Sequence, residues 1–256
     1  MHLPLVPKKS LGQNFLNNAD VARKMAGALD LRKDDFVVEV GPGHGFITRE
    51  IIKIPKVKVV LIELDEELAA RLHEKLGGYA NVEVINNDIL KWLPTFKPGG
   101  EFKMLGALPY NITSPFLHTL VKVQNAPETS VFMFQKEVAG KIANISPDAN
   151  YLSTLIQTFF RVVYVLTVSK NDFSPTPRVA GGMIKLRKIP SPAISNTEKD
   201  TYERFLHKAF SNPRKMLNKV FTQEELEKAE IDGALRAQNL SVDRWIDAFK
   251  KLVLIP

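Results

Sequence analysis

Phe36-Val37-Val38-Glu39-Val40-Gly41-Pro42-Gly43-His44-Gly45 is the stretch that decides the fold. Five strand-forming residues run straight into a glycine turn. The turn opens the helical pattern Phe46-Ile47-Thr48-Arg49-Glu50-Ile51-Ile52, which is the strand–turn–helix context of a nucleotide-binding corner. Glycine permits the sharp turn and lets backbone approach a ligand closely. Working outward, further apolar runs at 57–64, 82–88, 102–108 and 130–135 alternate with helical patterns, a rhythm that predicts an α/β fold with a helix-covered parallel sheet. Between the first two of these, Leu68, Leu72 and Leu76 fall on one helix face after Asp65, and Gly77-Gly78 stops the pattern.

Beyond Tyr151, Leu152, Leu155, Ile156 and Phe159 continue a helical pattern. The runs 161–168 and 181–188, joined by the proline-rich 173–179, predict an antiparallel pair at the sheet edge. Around Ile189-Pro190-Ser191-Pro192 the apolar period is lost, which places a domain boundary there. A Rossmann-like domain over 1–190 and a small all-helical domain over 191–256 are expected.

Composition narrows the function classes. The 256 residues are 45% hydrophobic and carry 35 Lys and Arg against 28 Asp and Glu, a net charge of +7. Residues 191–256 hold 11 basic and 10 acidic side chains, so +6 lies on the first 190. Lys8, Lys9, Lys170, Arg178, Lys185, Arg187 and Lys188 account for much of it, which points to a polyanionic partner. Cys is absent, excluding disulfides, thiolate nucleophiles and cysteine metal centres. The five His are scattered, so no metal is expected. Neither a membrane span nor a signal peptide is visible, and a soluble cytoplasmic protein is expected.

Three strand ends carry the candidate cofactor site. Gly41 and Gly43 lie in the turn. Glu63 follows Gly41 by 22 residues, near the spacing of about 20 at which an acidic side chain meets a ribose hydroxyl. Asp88, in Asn87-Asp88-Ile89, ends the third strand. Each has a structural alternative: an ordinary βα corner, a helix cap at Glu63, a turn start at Asp88. The pattern is G-x-G-x-G, without a P-loop motif, so a single adenosine-containing cofactor fits better than a dinucleotide, S-adenosylmethionine being the common case. The fourth strand leads into Ala107-Leu108-Pro109-Tyr110-Asn111. Such a corner can aim carbonyls at a planar amine while the aromatic ring stacks on the base; it can also simply turn the chain. Phe173 could supply a second ring for an extruded base, or plug the core. An exocyclic amine needs alignment and acceptors for its N–H protons more than a strong base.

With these residues quoted, the chain resembles the small-subunit ribosomal RNA adenine dimethyltransferases nearly end to end. The resemblance rests on 7–16, 39–45, 62–65, Asn87-Asp88, 108–112, 135–139, 173–179, 209–217 and 240–242. It implies a class I S-adenosylmethionine-dependent methyltransferase sheet. Asn14, Leu16, Gly41, Gly43, Glu63, Asp88, Ile89 and Ala107 would hold the cofactor, with Asp88 near its adenine and Glu63 on its ribose. Ala107, Leu108, Pro109, Tyr110 and Phe173 would form the site for chemistry, Tyr110 and Phe173 gripping the target adenine. The implied reaction is N6-dimethylation of two adjacent adenosines in the 3′-terminal hairpin of small-subunit rRNA, within an assembling subunit, by a monomer.

Ala107 departs from the family, which usually has Asn there. Losing that side-chain acceptor is expected to cost about 1 to 3 kcal/mol, roughly ten- to a hundred-fold in rate. The carbonyls of Ala107 and Leu108 remain, and Asn111 is a neighbouring candidate to compensate. Two alternatives stand beside this reading: a large-subunit rRNA dimethyltransferase of the macrolide-resistance type, and an assembly or RNA-binding factor with weakened or lost turnover.

Overall fold

The computed structural model describes Lys8 and residues 11–254, with the backbone alone at Tyr110. In chain order the elements are β1 (Phe15–Leu16), α1 (Ala19–Ala28), β2 (Phe36–Val40), α2 (Thr48–Ile51), β3 (Lys58–Glu63), α3 (Glu66–Leu76), β4 (Val82–Asn86), α4 (Ile89–Thr95), β5 (Lys103–Ala107), α5 (Thr113–Lys122) and β6 (Thr129–Gln135). There follow α6 (Lys136–Ala143), α7 (Tyr151–Phe159), β7 (Phe160–Val168), β8 (Phe173–Ser174), β9 (Gly181–Lys188), α8 (Lys199–Ala209), α9 (Gln223–Ala229) and α10 (Val242–Phe249).

Seven strands form one sheet in the order β4-β3-β2-β5-β6-β9-β7. The first five are parallel and β9 runs antiparallel to β6. The sheet is therefore Rossmann-like and mixed, with the two late strands at one edge. Its strands read as unbroken apolar runs because both faces are covered: Val37, Val38 and Val40 of β2 and Val59 to Ile62 of β3 are buried. α3 forms as its leucine spacing dictates. Asp65 caps it by accepting from Glu67 N–H at 3.1 Å, and Leu68, Leu72 and Leu76 are buried.

From β2 the chain steps outward to β3 and β4, then returns to place β5 on the other side of β2. The order reverses between β2 and β5, and open α/β sheets bind ligands in the crevice at the carboxyl ends there. Gly106 makes this junction possible. It pairs with Val40, and a Cβ on it would lie 2.5 Å from the Val40 carbonyl oxygen.

The chain divides into two compact units, one of residues up to 139 with 163–187, the other of 140–162 with 188 onward. The second takes 140–162, which the sequence reading leaves with the first domain. The tie is local: the Thr158 and Tyr202 hydroxyls are hydrogen-bonded at 3.0 Å, both buried, and Gln157 donates to the Ile142 carbonyl at 2.9 Å. The core of this unit is aromatic, with Phe205, Phe249 and Trp245 in ring contact.

Candidate active site

A cleft opens at the junction of β2 and β5, at the carboxyl ends of the strands where open α/β sheets bind ligands. It brings together Asn14, Leu16, Gly41, Gly43, Glu63, Ala107, Leu108, Pro109 and Phe173 among the residues expected from sequence. Asp88 and Ile89 are not among its lining residues. They sit at the carboxyl end of β4, where Asp88 caps α4 by accepting from Leu90 N–H at 2.9 Å. The side chain of Tyr110 lies outside the described residues; its backbone opens a short 3₁₀ turn.

All three glycines of the turn adopt left-handed backbone, Gly41 at φ 62°, Gly43 at φ 57° and Gly45 at φ 73°. Nothing lies within 4 Å of where a Cβ on Gly41 would stand, whereas one on Gly43 would meet the Phe15 ring at 2.9 Å. Gly43→Ala is expected to lower stability by about 2 kcal/mol, from the strained φ and the displaced ring. Thermal unfolding checks this, and an unchanged midpoint would show that the turn can rearrange.

Glu63 is buried at the end of β3. Its Oε2 accepts from Gly43 N–H and its Oε1 from Asp65 N–H, both at 3.0 Å. Burial raises its pKa above the ordinary carboxylate value, and the two backbone N–H groups oppose that rise. A carboxylate has about four acceptor sites, so these two bonds leave room for a pair of ligand hydroxyls. The helix-cap alternative does not apply to Glu63, since Asp65 caps α3.

Phe173 stands on a two-residue strand rather than an irregular loop, and its side chain is only 5% exposed. β8 pairs antiparallel with β1, setting Leu16 opposite Phe173. The ring belongs to the hydrophobic cluster with Leu16, Met133 and Met183, yet it also lines the cleft. The side chain is thus packed in the core, as the plug alternative has it, and borders the cleft as well. Ala107 ends β5 opposite Met133, and Leu108 N–H donates to the Met133 carbonyl at 3.2 Å. Asn111 is not among the lining residues; its Oδ1 lies 3.4 Å from the point where a Cβ on Gly12 would be.

Sequence reasoning assigned no role at this site to Phe15, His44, Met133, Leu68 or Glu39. Phe15 meets the His44 ring in a tilted contact, with centroids 4.3 Å apart. Burial, reinforced by Lys75, Arg71 and Arg49, lowers the His44 pKa below its ordinary value. Met133 and Leu68 add apolar wall. Glu39 is fully buried beneath the turn, and its Oε2 accepts from the Thr48 hydroxyl at 2.7 Å. Its Oε1 has no partner among the described residues, and burial pushes its pKa up to about 7. The acidic start of the glycine motif was the available signal.

Comparison with known proteins bears on this geometry directly. The family described as ribosomal RNA adenine dimethylase matches residues 6–253. The chain belongs to that family. The dimethylase is 37% identical over 248 residues, 95% of both chains, to the ribosomal RNA small subunit methyltransferase A of Sulfurihydrogenibium sp.. It is 34% identical to that of Persephonella marina, over 97% of this chain and 94% of the relative. Among solved structures, the 23S rRNA methyltransferase ErmE aligns with a TM-score of 0.75 at 28% identity, covering 93% of this chain and 99% of its own. A dimethyladenosine transferase from Plasmodium falciparum aligns at 0.81 and 24% identity, covering 92% and 96%, a likeness of fold. The sheet is that of the class I methyltransferases, and S-adenosylmethionine is the dimethylase's methyl donor. The residues present fit that cofactor: a glycine turn open at Gly41, spare acceptor sites on Glu63 and an apolar wall. Among the described residues no group of three His, Asp or Glu could hold a metal, and no helix is long and apolar enough to cross a membrane.

Proposed function

We propose that this chain dimethylates N6 of two adjacent adenosines in the 3′-terminal hairpin of small-subunit rRNA, acting on an assembling subunit as a cytoplasmic monomer. One observation carries the reading: the β2–β5 junction places the glycine turn, Glu63 and the Ala107–Pro109 corner around one cleft. Relatives named for the small subunit, at 34 and 37% identity over nearly the full length, support it over the large-subunit alternative. The basic excess on the first 190 residues suits an RNA partner.

S-adenosylmethionine, when bound, supplies an electrophilic methyl group. Gly41 and Gly43 give it close backbone contact, Glu63 takes the ribose hydroxyls, and Asn14 and Leu16 wall its other side. Asp88 and Ile89 approach its adenine from the end of β4. Tyr110 and Phe173 would hold the extruded adenine, and the carbonyls of Ala107 and Leu108 would accept hydrogen bonds from its N6–H groups, leaving the lone pair toward the donor; as the N–C bond forms and the S–C bond breaks, S-adenosylhomocysteine would leave and one N6 proton pass to solvent. No ionisable catalyst is required. The unit of residues up to 139 with 163–187 serves as the methyltransferase domain, and the unit of 140–162 with 188 onward as the helical C-terminal domain.

The test is transfer of labelled methyl groups to small-subunit particles lacking the modification. Dimethylation at the two adenosines is expected; cofactor binding without transfer would support the assembly-factor alternative. In the same assay Ala107→Asn should raise the rate roughly ten- to a hundred-fold by restoring an acceptor. A fall in rate would mean that the corner is built around the smaller side chain.

A further inference from the structure

The N-terminal wall of the cleft is short of backbone pairing of its own. Residues 12–16 all line the cleft, but β1 holds only Phe15 and Leu16. Something else must fix Gly12 to Asn14. At the far end the wall is pinned by Asn17 N–H donating to the Asp172 carbonyl at 2.9 Å and by Asn18 Nδ2 donating to Asp172 Oδ1 at 2.8 Å. At the near end the pins converge on one carboxylate. Gln13 Nε2 donates to Asp65 Oδ2 and Lys8 Nζ to Asp65 Oδ1, each at 2.8 Å. Lys8 N–H donates back to Gln13 Oε1 at 2.7 Å. Lys8 Nζ also lies 3.1 Å from Glu67.

The polarity of this ring is fixed. Gln13 spends its carbonyl on Lys8, so only its NH₂ is left to meet Asp65. The Asp65 side chain is 3% exposed, so water does not readily replace either bond, and Lys8 and Gln13 together hold its pKa below the ordinary value against the effect of burial. Asp65 also sits two residues beyond Glu63, whose Oε1 accepts the Asp65 N–H. One residue thus joins the ribose-binding strand end to the opposite wall.

We propose that Asp65 is a positioning residue for S-adenosylmethionine: through Gln13 and Lys8 it holds the Gly12–Leu16 wall against the donor side of the cleft. This rests on the function proposed above and adds a role outside the cofactor contacts named there. Asp65 acts through the wall and touches neither substrate.

Asp65→Asn isolates the role. Asparagine caps helices about as well as aspartate, so α3 keeps its cap. The amide then turns its NH₂ toward the Gln13 NH₂, and the ion pair with Lys8 is gone. Calorimetric titration with S-adenosylmethionine should show about ten-fold weaker binding, while kcat at saturating cofactor and the melting temperature of the ligand-free protein stay near those of the parent. Gln13→Leu should weaken binding by a similar factor. The double variant should be no worse than either single, because both break the same link. Unchanged affinity in Asp65→Asn would overturn the proposal. So would losses that multiply in the double variant, or a melting temperature that falls in step with affinity. A parent chain that binds S-adenosylmethionine yet methylates no rRNA would overturn the function while leaving the affinity test of Asp65 decisive.

Discussion

Glu63→Gln is expected to weaken S-adenosylmethionine binding about a hundred-fold or more, the largest single-residue loss in the cleft. Both carboxylate oxygens accept backbone N–H groups, from Gly43 and Asp65. An amide can accept only one; its NH₂ must oppose the other donor in a buried place. A hydrogen bond to a charged group contributes about 1.5 to 3 kcal/mol, and a stranded buried donor costs about 1 to 3 kcal/mol. The same change removes acceptor sites proposed for the ribose. The intramolecular bonds are lost from the free protein as well and cost stability, whereas two charged hydrogen bonds to the ribose, at about 1.5 to 3 kcal/mol each, reach the 2.7 kcal/mol or so that corresponds to a hundred-fold in binding. Calorimetric titration of the variant with cofactor and with its demethylated product measures this directly. A loss below five-fold would mean that the ribose is held elsewhere.

Glu39→Gln is expected to stabilise the protein at alkaline pH and to change little at acid pH. With its pKa pushed from the ordinary 4.5 to about 7, the folded state holds the proton more tightly than the unfolded state. Below pH 4.5 both states are protonated and stability is intact. Between 4.5 and 7 the unfolded chain ionises first and stability drains away. Above 7 the folded state ionises too and the loss levels off, at about 3 kcal/mol given about 1.36 kcal/mol per pH unit. Glutamine cannot ionise, and its carbonyl can still accept from Thr48. Denaturant unfolding at pH 5 and pH 8 should therefore show the variant ahead by up to about 3 kcal/mol at pH 8 and within about 1 kcal/mol of the parent at pH 5. A constant difference across pH would place the proton elsewhere.

The strands of the sheet were legible because each is a mainly apolar, β-rich run bounded by turn or helix signals, which survive without tertiary context. The glycine turn and Glu63 were legible through spacing, and Ala107 to Pro109 through the corner they make at a strand end. The β1–β8 ribbon was not: two-residue strands have no periodicity, and their partners lie 157 residues apart between Leu16 and Phe173. For the same reason Phe173 read as a loop aromatic, with burial in the core open only as an alternative. Asp88 was grouped with Glu63 because both end parallel strands, but β4 is two strands from β2, and strand order is not written in the spacing. Asp65 could be read as a helix start, while its bonds to Lys8 and Gln13 depend on how the N-terminal segment folds back.

Gly106 gives the cleft one fixed jaw. Because even a methyl there would collide with the Val40 carbonyl, the distance between the glycine turn and the end of β5 is set by backbone alone. Divergence among such enzymes cannot retune that spacing through the residue at 106. It must enter at the next position, and in this chain the side chain found there is the smallest that still carries a Cβ.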